Sequence, residues 1–262
     1  MRKLELVENE DTIERLYFHL SSETRLGILR KLQKSNLRMP ELTRDLELTA
    51  TETFRQLQRL SEAKLVQKNL DGTFSITQFG KLTLAMTASL EFIYKNKQYF
   101  LEHAIFELPP VFLNRIGELS NSVFISEMAA VMNAIERIIS EARSYVWIMT
   151  DQILESHTRL LTERRHAGVH FRSLLHEKLH NEELAASLYK GDVVERRFLT
   201  NIPAVLVITE NEAAFSLFFT NGKLDPTGFF SKDMTFVRWS SDLFIHYWEQ
   251  GTRAQSFGMN PK

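Results

Sequence analysis

The chain of 262 residues contains no cysteine. Disulfides, thiol redox sensing and cysteinyl metal sites are therefore excluded. Proline (6 residues) and glycine (10 residues) are too scarce for a collagen-like or low-complexity chain. No apolar run approaches the roughly 20 residues that a bilayer-spanning helix needs. The start, Met1-Arg2-Lys3-Leu4-Glu5-Leu6-Val7-Glu8, turns acidic at once and lacks a signal-type apolar region. A cytoplasmic, non-membrane protein is expected. There is no phosphate-cradling P-loop, no glycine-rich dinucleotide fingerprint and no Ser/His/Asp set, so no cofactor is expected. No internal repeat is visible.

Charge of either sign is also not in excess. Lys and Arg number 32 against 33 Asp and Glu, a net charge of -1. The distribution is more informative than the sum. Residues 21–69 hold ten Lys or Arg against six Asp or Glu, a local surplus of four positive charges. That is a modest basic face, and a homodimer would be needed to multiply its phosphate contacts. Hydrophobic content of 44%, with 19 Phe, suffices for a second domain with its own core.

Residues 21–80 read as helix, helix, capped helix, hairpin, helix start. Ser22 to Leu32 has apolar residues at helical spacing, and Met39-Pro40 opens a short amphipathic piece with Pro where a helix tolerates it. Thr49-Ala50-Thr51-Glu52 is a capping box. Phe54, Leu57, Leu60 and Leu65 then form a buried stripe. Asp71-Gly72 between two β-prone runs signals a two-residue hairpin. This is the order of a winged helix-turn-helix, which offers a helix to the major groove and a loop to the backbone.

A helix over about residues 10–20 precedes this unit, and a long apolar helical pattern follows it to about His103. The expected organisation is a DNA-binding domain over 1–80, a linker or dimerisation helix over 81–110, and an α/β signal-receiving domain over 111–262. In the last, strand candidates (145–150, 169–175, 196–199, 204–209, 212–219) alternate with helices (126–143, 153–167, 181–189, 233–250). That alternation predicts a largely parallel sheet.

The first 80 residues resemble the ArsR-like winged-helix regulators through Arg25-Leu26, Ile28-Leu29, Glu41-Leu42, Arg55, Leu57, Leu60, Leu65-Val66, Gly72 and Thr77-x-x-Gly80. The cysteines of the metal-sensing members are missing. The remainder is similar to the C-terminal domain of the archaeal methanogenesis-regulator (FilR-type) family. The matching pieces are Tyr145 to Gln152, Gly168 to Arg172, Ala204 to Ala213, Asn221 to Asp225, and Trp239-x-x-Asp242-Leu243-Phe244-x-x-Tyr247-Trp248. The strand-helix-Gly-Val-strand segment also resembles TrmB-type sensor domains, related to phospholipase D folds. The His-x-Lys-x4-Asp signature of those enzymes is absent, so the resemblance implies a catalytically degenerate domain. Together the resemblances imply a transcription regulator and no enzyme.

On the third helix the stripe leaves Thr51, Thr53, Arg55, Gln56 and Arg59 outward. Arg reads guanine, Gln reads adenine, and Thr reaches a phosphate or a thymine methyl. Lys68, Asn69 and Thr73 are the expected wing contacts to phosphate. In the second domain, ligands favour the C-terminal ends of strands. Thr150, Asp151, Gln152 and His176 are therefore candidate pocket residues, with Arg172 and Arg196 as partners for an anionic effector. His176-Glu177-Lys178-Leu179-His180 spells the zinc-protease pattern H-E-x-x-H. Its first His follows a strand pattern and no third ligand is close behind, so no metal is expected.

The reading is a homodimeric regulator of double-stranded DNA that receives a small-molecule or protein signal. The alternatives are a zinc hydrolase using the His176 motif and a protein-binding adaptor.

Overall fold

The structure is a computed structural model that describes residues 12–152, 158–179 and 194–253. It divides into two compact units, residues 1–88 and 89–262.

In the first unit, short polar residues start the helices. Thr12 caps α1 (Ile13–Leu20) and Ser22 caps α2 (Glu23–Lys34). α3 (Met39–Asp45) has Pro40 in its first turn, and the Arg38 N–H donates to Glu41 Oε2 at 2.6 Å. α4 (Ala50–Glu62) begins where Thr49 Oγ1 accepts from the Glu52 N–H at 3.2 Å. β1 (Val66–Lys68) and β2 (Phe74–Ile76) form an antiparallel pair, and α5 (Gln78–Lys95) follows. The core is aliphatic: Ile28, Leu29, Leu32, Leu42, Leu57, Leu60, Leu65, Val66, Ile76 and Leu84.

The hairpin differs from the expected two-residue turn. The Asn69 N–H donates to Thr73 O and the Gly72 N–H to Asn69 O, with Gly72 at φ 81°. Three residues, Leu70 to Gly72, thus form the loop, with glycine in the left-handed position that such loops require. The Thr77-x-x-Gly80 motif has a physical basis. Thr77 Oγ1 accepts from the Gly80 N–H at 2.9 Å and donates to Lys64 O at 2.6 Å. A Cβ on Gly80 would lie 2.2 Å from Leu65 O, so only glycine lets α5 start against that carbonyl.

The second unit is built on an eight-stranded sheet of order β10-β6-β5-β4-β7-β8-β9-β3. Its strands are β3 (Val123–Ile125), β4 (Tyr145–Thr150), β5 (His170–His176), β6 (Val194–Leu199), β7 (Ala204–Thr209), β8 (Ala213–Leu217), β9 (Gly228–Ser231) and β10 (Thr252–Arg253). Only β4–β5 and β5–β6 pair in parallel; the other five pairings are antiparallel. The largely parallel sheet expected from the sequence is thus corrected to a mixed, mostly antiparallel one. The reason lies in the connections. The short Glu210-Asn211 link between β7 and β8 leaves no room for the crossover that parallel strands need. Apolar runs such as Ala204–Thr209 report burial on both faces, not strand direction.

One face of the sheet is covered by α8 (Met128–Glu141) and α9 (Thr158–His166). The other packs against α10 (Met234–Gln250), α6 (Lys97–Glu102), α7 (Pro110–Leu113) and a short 3-10 turn (Ile116–Leu119). The expected helical run to His103 therefore divides at Asn96. The expected helix over 181–189 lies outside the described residues. Trp239, Phe244 and Trp248 are buried against Phe112, Phe215 and Trp147, so this cluster is core. Tyr99 donates its ring to the same core, and its Oη accepts from the Leu217 N–H at 2.7 Å. Burial pushes that phenol well above its ordinary pKa.

Each unit is braced from within by a buried charged residue, Arg25 in the first and Glu212 in the second. Arg25 donates from Nε to His19 O at 2.8 Å, from Nη1 to Gln56 Oε1 at 3.1 Å, and from Nη2 to Phe18 O. Burial, then the charge of Arg59, lowers its pKa. In the second unit Arg137 grips the buried Glu212 through both Nη atoms, at 2.5 and 2.7 Å, tying α8 to the β7–β8 turn. Arg25→Met should destabilise the first unit by about 2 kcal/mol, because Gln56 and two carbonyls lose their donor. Urea unfolding followed by circular dichroism checks this; an unchanged midpoint would contradict it. Arg137→Ala should cost the second unit about 2 kcal/mol, and adding Glu212→Gln should recover part of it. Equal stability of the two variants would contradict the pairing.

Candidate functional site

The first candidate surface is α4. The helix turns on its axis relative to the sequence expectation. Thr53 and Gln56 are buried, and Phe54 is 60% exposed. Thr53 and Gln56 thus leave the outward face, and Phe54 leaves the core. The cause is polar pairing inside the unit. Thr53 Oγ1 is hydrogen bonded to Thr43 Oγ1 at 3.0 Å and to Thr49 O at 3.0 Å, joining α3 to α4. Gln56 receives the buried Arg25. Leu57 and Leu60 complete the inner stripe as expected. The outward face is then Thr51, Phe54, Arg55 and Gln58, with Arg59 half-buried at its edge.

The hairpin also narrows its candidates. Asn69 Nδ2 donates to Thr73 Oγ1 at 2.9 Å, and Asp71 Oδ1 accepts from Thr73 N and Oγ1 at 3.0 and 2.7 Å. These bonds to Thr73 hold the Asp71 carboxyl below its usual pKa. Asn69 and Thr73 are half-buried and hold the loop closed. Lys68 stays exposed. Side chains of the turn residues thus shape the hairpin, which the sequence alone did not separate from contact.

The second candidate is a cavity in the second unit. Strand alternation divides the expected pocket residues. Val146, Ile148 and Thr150 point to the α8 face of β4, and Tyr145, Trp147 and Met149 to the α10 face. Thr150 and Gln152 accordingly line an apolar cavity of about 300 Å³ beneath α8, with Met132, Val207, Ala214 and Phe230. Asp151 and His176 line a different one of about 340 Å³, with Lys178 and Phe219. There Lys178 Nζ pairs with Asp151 Oδ2 at 3.0 Å, and the Lys178 N–H donates to His176 Nδ1 at 3.0 Å.

Arg172 and Arg196 line neither cavity. Arg172 pairs with Glu195 Oε1 at 3.0 Å and lies 5.4 and 5.5 Å from the Trp147 and Trp248 ring centres. Arg196 lies 5.8 Å from the Phe198 ring centre. The expected single pocket for an anion is therefore corrected: Thr150 and Gln152 line one cavity, Asp151 and His176 another, and Arg172 and Arg196 neither.

His176 ends β5, and Glu177–Leu179 form a 3-10 turn. The first half of the H-E-x-x-H pattern is thus not on an α-helix; His180 lies outside the described residues. No group of three His, Cys, Asp or Glu converges among the described residues. No helix among them is long and apolar enough to cross a membrane.

Residues 127–250 match the family described as the middle domain of the methanogenesis regulatory protein FilR1. A curated relative, the methanogenesis regulatory protein FilR1 of Methanothrix harundinacea (strain 6Ac), is 22% identical over 260 residues. The alignment covers 92% of this chain and 58% of that protein, so the chain spans less than two thirds of the relative's length. Among solved structures, TrmBL2, described as an archaeal chromatin protein with a novel mode of DNA binding, is 16% identical with a TM-score of 0.44. That likeness covers 92% of this chain and 97% of TrmBL2. NucT from Helicobacter pylori is 13% identical with a TM-score of 0.43, covering 50% of this chain and 96% of NucT. At these scores the structural likenesses carry over neither fold nor function.

Proposed function

We propose that the chain is a DNA-binding transcription regulator, with a winged helix-turn-helix in its first unit and a signal-receiving second unit. One observation carries this: α4 presents an uninterrupted outward face of Thr51, Phe54, Arg55 and Gln58 beside a hairpin bearing exposed Lys68. The buried stripe of α4 is complete without them, so this face is available to a partner. The net positive charge of residues 21–69 suits a duplex. The match of 127–250 to a regulatory family agrees with this reading. A zinc hydrolase is disfavoured by the strand and 3-10 turn that carry His176 and Glu177.

The test is binding of the full chain to duplexes by fluorescence anisotropy. Thr51→Ala with Arg55→Ala should erase discrimination among sequences by about tenfold or more, as base-edge contacts are lost. Lys68→Ala should weaken all duplexes alike and lower the salt slope by about one. Unaltered discrimination in the folded double variant would contradict the reading of α4.

The proposed regulator is a homodimer. α5 leaves Phe79, Leu82, Met86, Leu90 and Ile93 exposed, at spacings of three and four that make one stripe along the helix. Pairing this stripe with a second copy covers it and doubles the phosphate contacts. Light scattering should give twice the 30.5 kDa chain mass, and Leu82→Glu with Met86→Glu should return a 30.5 kDa particle. A wild-type mass of one chain, free and on DNA, would contradict the dimer.

The apolar cavity beneath α8 is the proposed effector site. Its described lining carries no charged side chain, so it suits a neutral small molecule with an apolar body and a polar end near Thr150 and Gln152. Occupancy acts by favouring one of two pre-existing spacings of the α4 pair.

A further inference from the structure

Phe54 is the residue on α4 that its role in folding does not explain. Burying a phenylalanine stabilises a protein by about 1.5–3 kcal/mol, and this one is 60% exposed. The inner stripe of α4 is filled by Thr53, Gln56, Leu57 and Leu60. Phe54 lies in the first half of the helix, one turn after Thr51 and adjacent to Arg55, on the same outward face. Base edges are met by the N-terminal residues of a recognition helix. Among the groups that base pairs show in the major groove, the C5-methyl of thymine is the apolar one.

We infer that Phe54 is a specificity-determining residue that packs on a thymine C5-methyl in the major groove. This rests on the DNA-reading role proposed for α4. Thr51, one turn before Phe54, and Arg55 share the outward face with it, so the methyl contact would adjoin a hydroxyl and a hydrogen-bond donor to a purine. The ring excludes water from the methyl. Each chain supplies one such contact, so one thymine in each half-site is read this way.

The experiment uses the full chain and a randomised duplex library. Selected duplexes are resynthesised with uracil replacing each thymine in turn, which removes the methyl and leaves the base pairing intact. At one thymine per half-site, uracil should weaken wild-type binding about fourfold, the effect expected for burying one methyl. Phe54→Ala should bind thymine and uracil duplexes alike, with the same salt slope and the same melting temperature as wild type. Phe54→Leu should keep part of the preference. Three results would overturn the inference: no thymine enriched by selection, a Phe54→Ala variant that still separates thymine from uracil, or a change of particle mass in place of base preference. Enrichment of no duplex at all would instead remove the DNA-reading role of α4, and the inference with it.

Discussion

The pairing of buried Arg25 with Gln56 fixes the rotation of α4 about its axis, and the proposed interface depends on that rotation. A helical residue occupies about 100° of arc. Turning α4 by one position would exchange Phe54 for Thr53 and Arg55 for Gln56 on the outward face. Arg25 prevents this by donating its other hydrogen bonds to the carbonyls of Phe18 and His19 at the end of α1. Thr53, bonded to Thr43 on α3, adds a second stop. A polar lock of this kind specifies one packing more sharply than leucines alone, because misplacing it leaves buried donors and acceptors unpaired.

In the second unit the corresponding constraint is the two-residue period of the strands. Thr150, Asp151 and Gln152 are consecutive, yet the first and third face the α8 cavity and the second faces the other side. The sheet thus separates a neutral apolar cavity from a polar recess holding Asp151, His176 and Lys178. Arg172 is occupied by Trp147, Trp248 and Glu195. Its charge supports the edge of the aromatic core. Another buried polar link, His103 Nε2 to Asp225 Oδ2 at 2.8 Å, ties the end of α6 to the segment before β9.

Much of the first unit was legible in the sequence because local chemistry announces it. Ser22 and Thr49 mark helix starts, Gly72 marks the turn, and Leu57 and Leu60 mark the buried side. The phase of α4 was not legible, because Phe54 looks apolar and Gln56 looks polar. Their true places depend on Arg25, 31 residues from Gln56 along the chain. The strands of the second unit were legible as apolar runs, but not their directions. The pocket was not legible for a related reason: Thr150, Asp151 and Gln152 adjoin in sequence at a strand end, yet they line two different cavities. The cavity beneath α8 is built from Met132, Val207, Ala214 and Phe230, none of which carries a polar signal.

Hydrogen exchange of the full chain, with and without a mixed-sequence duplex at low salt, tests the central claim most directly. The account predicts slower exchange of backbone amides in residues 50–59 and 66–74 when duplex is present, and little change in the sheet of the second unit. Protection confined to the second unit, or none in α4 and the hairpin at saturating duplex, would contradict it.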